Sequence, residues 1–320
     1  VGQRVPRGAA DALRPHRVGG RRLIVVQLDW MRADAPYMPI ATVGLLAIVS
    51  EIEPAVTATW AVDGSTRRLR LDTALDVEVI ATAIAAAELP KVSAPQWPTA
   101  NPQALGPSLR TTPHPLDTYR QLVATAAASE ARLLRAIATD QVLDADGVPS
   151  RTRLLRGAKS DLSAFKALKR VGVTQLEHEL RDGPAYLPGD SGAALGLVPE
   201  VQTFGGTTGR KPADVGAASA LLSRLLRHGI LALPPSSGTR GGRRVVGGPL
   251  VTEQGELSWP RWTIPCGLRE LRVLFTLAAV HDSEPDARAL RDRGIDAVFR
   301  CQPQQLSTTV AVFRWGRRIM

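Results

Sequence analysis

Apolar residues fall along this chain in runs of different period, and the period assigns each run to an element. Residues 23–28 (Leu-Ile-Val-Val-Gln-Leu) form a short, nearly continuous apolar run that reads as a buried strand, and residues 40–52 have the apolar density and length of a core helix. Residues 55–71 give two β-rich runs around Asp63-Gly64, a hairpin signal. Thr73, with Asp76 three residues on, resembles the capping box that opens a helix, here running to Leu89 and stopped by Pro90. A third helix is expected over residues 117–137, with Leu122, Leu133, Leu134 and Ile137 on one stripe, ending in a turn at residues 144–147. A short helix over residues 174–180 opens on a Thr174/Glu177 capping box, and residues 215–227 form an amphipathic helix closed by Gly229. Residues 268–280 continue the helical period, and residues 295–300 and 308–315 read as two strands that pair with each other. The sum is an α+β fold.

Breakers and charge divide the chain. Residues 1–22 carry Arg4, Arg7, Arg14, Arg17, Arg21 and Arg22 against Asp11, with little apolar content, and read as a disordered basic tail. An N-terminal α+β block with a hairpin follows over residues 23–89, in which acids outnumber bases. Residues 90–115 hold seven prolines, which fix φ and withhold backbone donors, so this stretch reads as a linker or surface loop. Residues 116–182 form a helical basic region, and residues 183–320 a loop-rich α+β C-terminal region.

Composition narrows the class. With 44% apolar and 22% charged residues in 320, the chain has material for a folded core. The longest uncharged apolar run, near residues 40–49, is far short of the ~20 residues a spanning helix needs, so no membrane partner is expected. Two cysteines, Cys266 and Cys301, make no disulfide framework and no CxxC pair, which fits a reducing cytoplasm. The formal net charge of +10 favours polyanionic partners through counterion release.

Placement of the cations decides what that charge means. Arg151, Arg153, Arg156, Lys159, Lys166, Lys169 and Arg170 face a lone acid, Asp161, within twenty residues. Cations at successive turns can follow a phosphate backbone without reading bases, whereas a merely solvated helix face would carry acids for local pairing. Phe204-Gly205-Gly206-Thr207-Thr208-Gly209-Arg210-Lys211-Pro212 is a second nucleic-acid candidate: glycines let the backbone approach phosphate, and Arg210 and Lys211 supply charge. It is not a Walker loop, because Arg210 stands where the second glycine belongs and Pro212 where the hydroxyl belongs. Arg243 and Arg244, in a basic loop over residues 240–248, complete the expected nucleic-acid-binding set.

Catalytic patterns are weak. Gly189-Asp190-Ser191-Gly192 matches the nucleophile segment of chymotrypsin-like proteases, but His114 is wedged between Pro113 and Pro115, and the helical periodicity contradicts a double β-barrel. His178-Glu179 is followed at the fifth position by Asp182 rather than histidine, and Asp144 and Asp146 lack the rest of a calcium loop. No catalytic residue, metal ligand, cofactor or small-molecule substrate is therefore expected. His228 reads as a cation complementing a helix C-terminus. Trp259 and Trp262, three apart around Pro260, suit core packing more than stacking on bases.

The order of Pro39 to Ile48, His228-Gly229-Ile230-Leu231-Ala232-Leu233-Pro234, Ser258-Trp259-Pro260-Arg261-Trp262-Thr263-Ile264-Pro265, the helix pattern after it, and Arg293-Gly294-Ile295-Asp296-Ala297-Val298-Phe299-Arg300 resembles a subunit family of type I CRISPR surveillance complexes. The branch is type I-U/I-G, in which such proteins are large-subunit-like components of Cascade. The resemblance implies a non-catalytic role in antiviral defence, with CRISPR RNA or target DNA and other Cascade subunits as partners. In such ribonucleoproteins base pairing reads sequence while protein cations hold the backbones. The matching fragments are mainly apolar and carry no functional residue across. The competing readings are a nuclease or serine hydrolase, and a basic DNA-binding protein unrelated to CRISPR.

Overall fold

Alternation of buried and exposed positions builds the first sheet. Strands β1 (His16–Val18), β2 (Arg21–Leu28), β3 (Thr57–Asp63) and β4 (Thr66–Thr73) pair antiparallel in the order β1-β2-β4-β3. Val26 and Leu28, Ala58 and Trp60, and Leu69 and Leu71 turn to the core at the period of two that a pleated strand imposes. The computed structural model describes residues 16–18, 21–63, 66–90, 116–143, 149–151, 170–185, 219–233, 236–240, 243–247, 256–305, 311–313 and 315–320.

Three N-terminal expectations are corrected here. Residues 16–18, placed in a disordered tail, form a strand that pairs antiparallel with residues 21–23 at the edge of the sheet. The hairpin closes at Asp63↔Thr66, so its two-residue connection is 64–65, one step beyond Asp63-Gly64. Helix α2 (Val77–Ala86) is capped by Asp76, whose carboxylate accepts from Val79 N at 2.9 Å. Thr73 is unavailable as a cap: it ends β4, and its hydroxyl donates to the buried Glu53 carboxylate, which also accepts from Ala74 N at 2.8 Å.

Between β2 and β3 lies helix α1 (Met38–Val49), buried along its whole length; Thr42 satisfies its hydroxyl by donating to Met38 O at 2.8 Å. A helix apolar on every side belongs in a core rather than on a surface. Its main partner is distant in sequence.

Helices α3 (Leu116–Thr125) and α4 (Ala128–Ile137) replace the single helix expected over 117–137. The break at Ala126 and Ala127 folds α4 back on α3, and Tyr119 donates to Ala138 O at 2.8 Å across the fold. Strands β5 (Ala138–Leu143) and β6 (Pro149–Arg151) follow as a hairpin, so the region expected to be helical starts its basic block on a strand. Helix α5 (Val173–Asp182) begins at Gly172 with no side-chain cap, so the Thr174/Glu177 capping box does not form; Glu177 pairs with Arg181 instead, at 2.8 Å.

Helix α6 (Ala220–Ala232) is the partner of α1. It is buried throughout, polar residues included, so the helix expected to be amphipathic is a second core helix. Gly229 does not close it. A Cβ on Gly229 would lie 2.0 Å from Ile40 O, and one on Gly44 of α1 would lie 1.9 Å from Leu225 O. Two glycines, one per helix, let the backbones touch.

Residues 240–248, expected as a loop, hold most of a hairpin: β7 (Ser236–Arg240) pairs with β8 (Arg243–Gly247). Strand β9 (Leu257–Trp262) leads to helices α7 (Leu268–Thr276) and α8 (Ala278–His281), which divide the expected 268–280 helix at Leu277, and to α9 (Ala287–Arg291). Strand β10 (Ile295–Cys301) pairs with β9 on one side and β13 (Arg317–Arg318) on the other. Of the strand expected over 308–315, the described part, β12 (Ala311–Phe313), pairs with β11 (Pro303–Gln305) instead.

The two ends of the chain share one core. Ala58 and Cys266 exchange backbone hydrogen bonds of 2.8 and 3.0 Å, Trp262 donates to Ala58 O at 2.8 Å, and Trp259 donates to Ala33 O at 2.8 Å. Trp262 meets Trp60 and Phe275 edge to face, at centroid separations of 5.9 and 5.7 Å. Both tryptophans are buried, in line with core packing rather than base stacking. The fold is α+β, with antiparallel sheets throughout the described residues.

Candidate nucleic-acid interface

Of the thirteen residues expected to bind nucleic acid, Arg153, Arg156, Lys159, Lys166, Lys169, Gly205, Gly206, Arg210 and Lys211 lie outside the described residues, as does Ser191. Arg151 ends β6, Arg170 is exposed just before α5, and Arg243 and Arg244 open β8. Arg243 pairs in register with Arg240, so the turn of that hairpin concentrates three arginine positions (240, 243 and 244) on adjoining strands.

A second group of cations, unnoticed in the sequence, gathers at the ends of helices around α6. Arg224 of α6, 5% exposed, directs Nη1 to the carbonyls of Ile84, Ala85 and Ala87 at 3.4–3.5 Å, closing the C-terminus of α2. Arg272 of α7 donates through Nε to Ala232 O at 2.7 Å, closing the C-terminus of α6. Helix C-termini expose unpaired carbonyls and a partial negative charge, and each guanidinium answers both. At the other end of α6 the buried Glu179 of α5 accepts from Ser219 Oγ and from Leu221 N at 3.2 Å. Ser219 in turn caps Leu222 N at 3.0 Å.

His228 stands one helical turn before Ala232. Burial, with Arg132 and Arg224 adding to it, pushes its pKa down to about 4, so the ring is neutral at pH 7. It is therefore not the charged complement of a helix end that its position suggested; Arg272 takes that role. Nε2 of His228 is buried with no hydrogen-bond partner among the described residues. Burial, and then Arg132, likewise lower the pKa of Arg272. Arg132, exposed on α4, has no hydrogen bond or ion pair among the described residues. Glu270, next to Arg269 on α7, points away from this group: its carboxylate folds back beside Gly267, where a Cβ would lie 2.8 Å from Oε2.

A third surface lies at the C-terminus. Trp315 is 38% exposed and carries the Arg32 guanidinium 4.3 Å over its ring, and Arg317 and Arg318 are exposed on the adjoining edge strand β13. Arg32 is also paired with Asp34, at 2.9 Å. Cation–aromatic pairing of this kind is invisible in the sequence, where Arg32 and Trp315 are nearly the whole chain apart.

Burial raises the pKa of Cys266 to about 11 and of Cys301 to about 12, with Glu270 and Glu256 adding to the shifts, so neither thiol is a nucleophile at neutral pH. Among the described residues no three His, Cys, Asp or Glu side chains cluster as metal ligands would, and no helix is long and apolar enough to cross a membrane.

Comparison of the chain with protein-family models, with curated proteins and with solved structures gives no match.

Proposed function

We propose that the protein binds nucleic acid without catalysis, holding phosphate backbones with arginines, as a large-subunit-like component of a type I CRISPR surveillance complex. The observation that carries the binding is the residue of charge left after internal pairing. Carboxylates tie down Arg68, Arg70, Arg120, Arg181 and Arg261, each at 2.7–2.9 Å, whereas Arg132, Arg135, Arg170, Arg269 and Arg317 are exposed without such a partner among the described residues. With a net charge of +10 over the whole chain, such a surface attracts polyanions by counterion release.

The narrower CRISPR role is supported by the ordered fragments that resemble that family. They fall in α1, the end of α6, β9 and β10, which pack in the core, and in the exposed turn after β9. They speak for a shared scaffold, and the arginines for the task carried on it.

The test is binding of the full chain to labelled single-stranded RNA, single-stranded DNA and duplex DNA across a salt series. Affinity falls linearly in log–log form, with a slope close to the number of phosphates neutralised. Absence of binding to all three overturns the proposal, and cleavage of any of them, lost on substitution of one carboxylate, replaces it with a nuclease. Co-purification from the native host of RNA of uniform length together with partner subunits supports the CRISPR role. Binding without such RNA leaves a basic nucleic-acid-binding protein of another kind.

A further inference from the structure

We propose that Trp315, with Arg32 stacked on it and Arg317 beside it, is a stacking site for an unpaired base of a single-stranded nucleic acid. The inference rests on the nucleic-acid reading above and gives it a place and a strand type. Among the described residues Trp315 is the one aromatic side chain in the set of exposed large apolar residues, at 38%, whereas Trp60, Trp259 and Trp262 are buried. The Arg32 guanidinium lies 4.3 Å from the centroid of its ring, and the Arg32 side chain is itself 59% exposed. Two flat groups, one aromatic and one cationic, therefore lie one on the other at the surface with area left over.

The surroundings hold this pair in place. Gly316 donates its N–H to Asp34 O at 2.8 Å and lies against the buried Trp259, whose ring a Cβ at Gly316 would meet at 2.6 Å. Trp259 in turn donates to Ala33 O at 2.8 Å, so residues 32–34 and 315–316 are tied to each other and to the core. The Asp34 carboxylate accepts from both Nε and Nη2 of Arg32, at 3.2 and 2.9 Å, which fixes the plane of the fork. Beyond the pair, residues 317–318 are anchored to β10, and Ile319 donates to Val298 O at 2.9 Å. A platform ordered before its ligand arrives loses little side-chain entropy on binding.

Charge selects the occupant. Arg317 is exposed with no hydrogen bond or ion pair among the described residues, and Arg318, also exposed, directs its fork to Met320 O and Asp296 O. The acids nearby are engaged, Asp34 with Arg32 and Asp296 with Arg261 at 2.9 and 3.0 Å. Two residues of chain span at most about 7 Å, so Arg317 stands within reach of a phosphate of the nucleotide whose base lies on Trp315. A base offers a flat π-face to the indole or the guanidinium and brings phosphates to the arginines, which an uncharged apolar partner does not. Inside a duplex both faces of a base are covered by its neighbours, so the site takes a single strand.

The experiment measures binding of the full-length protein, by fluorescence anisotropy across a salt series, to a labelled short oligothymidylate, to an abasic strand of the same length and charge, and to duplex DNA. The wild type prefers the thymidylate to the abasic strand, and Trp315→Ala weakens thymidylate binding by about tenfold or more while leaving abasic and duplex binding and the salt slope unchanged. Trp315→Phe, which keeps a ring, retains most of the preference. Arg317→Ala keeps the preference and flattens the salt slope by about one unit. Thymidylate and abasic strands bound alike, or weakened alike by Trp315→Ala, overturn the stacking site and spare the nucleic-acid reading, as does thymidylate binding that Trp315→Ala leaves unchanged. No binding of any strand sinks that reading and the inference with it, and a co-purifying protein that Trp315→Ala then releases assigns the surface to a protein interface instead.

Discussion

Gly229 shows how far a residue's meaning depends on its surroundings. In an isolated helix, glycine costs about 1 kcal/mol relative to alanine, so Gly229→Ala should stabilise α6. In the folded protein a Cβ there would meet Ile40 O at 2.0 Å, a backbone atom that cannot turn aside. The expected outcome is destabilisation by about 3 kcal/mol or more, read as a lowered midpoint in chemical denaturation. A neutral or stabilising result would mean that α1 and α6 do not cross where these glycines meet. His228 is the other residue whose neighbours rewrite it. Its folded pKa of about 4 lies below the ordinary 6.5, so between those values the unfolded chain holds a proton that the folded one lacks. Stability is thus intact above pH 6.5 and declines as pH falls toward 4, by about 3 kcal/mol in all. Carboxylates titrate in part of the same range, so the measurement is the difference in slope between the wild type and His228→Gln, which should be flatter across that window.

At the scale of elements, helices in this protein are finished by one another. The N-terminus of α6 is closed by Glu179 from α5, its C-terminus by Arg272 from α7, and the C-terminus of α2 by Arg224 from α6. Local capping boxes at Thr73/Asp76 and Thr174/Glu177 were legible as patterns, yet neither forms, and Asp76 itself takes the cap position expected of Thr73. A capping signal in sequence counts partners within four residues, whereas these caps come from forty residues away or more. Glu179→Ala removes a buried acceptor and leaves the Ser219 hydroxyl and Leu221 N–H without it. The expected cost is about 2–3 kcal/mol, with early amide exchange at the start of α6. Loss of stability without faster exchange there would place the contribution of Glu179 elsewhere.

At the scale of the molecule, the buried residues from Val26 to Cys301 form a single cluster, and the joints between its ends are specific. The Ala58–Cys266 bridge and the indole hydrogen bonds of Trp259 and Trp262 bind the N-terminal sheet to the C-terminal one. The two sheets should therefore unfold together. Tryptophan fluorescence, dominated by the core indoles, and far-ultraviolet circular dichroism should give superimposable denaturation curves. Trp262→Phe, which keeps the apolar bulk but abandons Ala58 O, should lower the midpoint of both by the same amount. Two separated transitions would show that the sheets fold independently.

What the sequence determined by itself was local or statistical. The burial of residues 40–49, the hairpin over 55–71, the strands at 23–28 and 295–300 and the interior place of Trp259 and Trp262 follow from apolar density, period and turn chemistry, which act between near neighbours. The charge excess follows from counting. Only tertiary structure decided that Gly229 is a crossing point, that His228 is neutral, that the 117–137 stretch breaks, and that β10 pairs with β9. Each of these depends on groups beyond the stretch itself: Ile40 O for Gly229, burial in the core and then Arg132 for His228, Ala138 O for the broken helix, and the backbone of residues 257–262 for β10. The caps of α6 were illegible for the same reason, since Glu179 and Arg272 stand forty residues or more from the groups they close and only the packing of α5 and α7 on α6 brings them there.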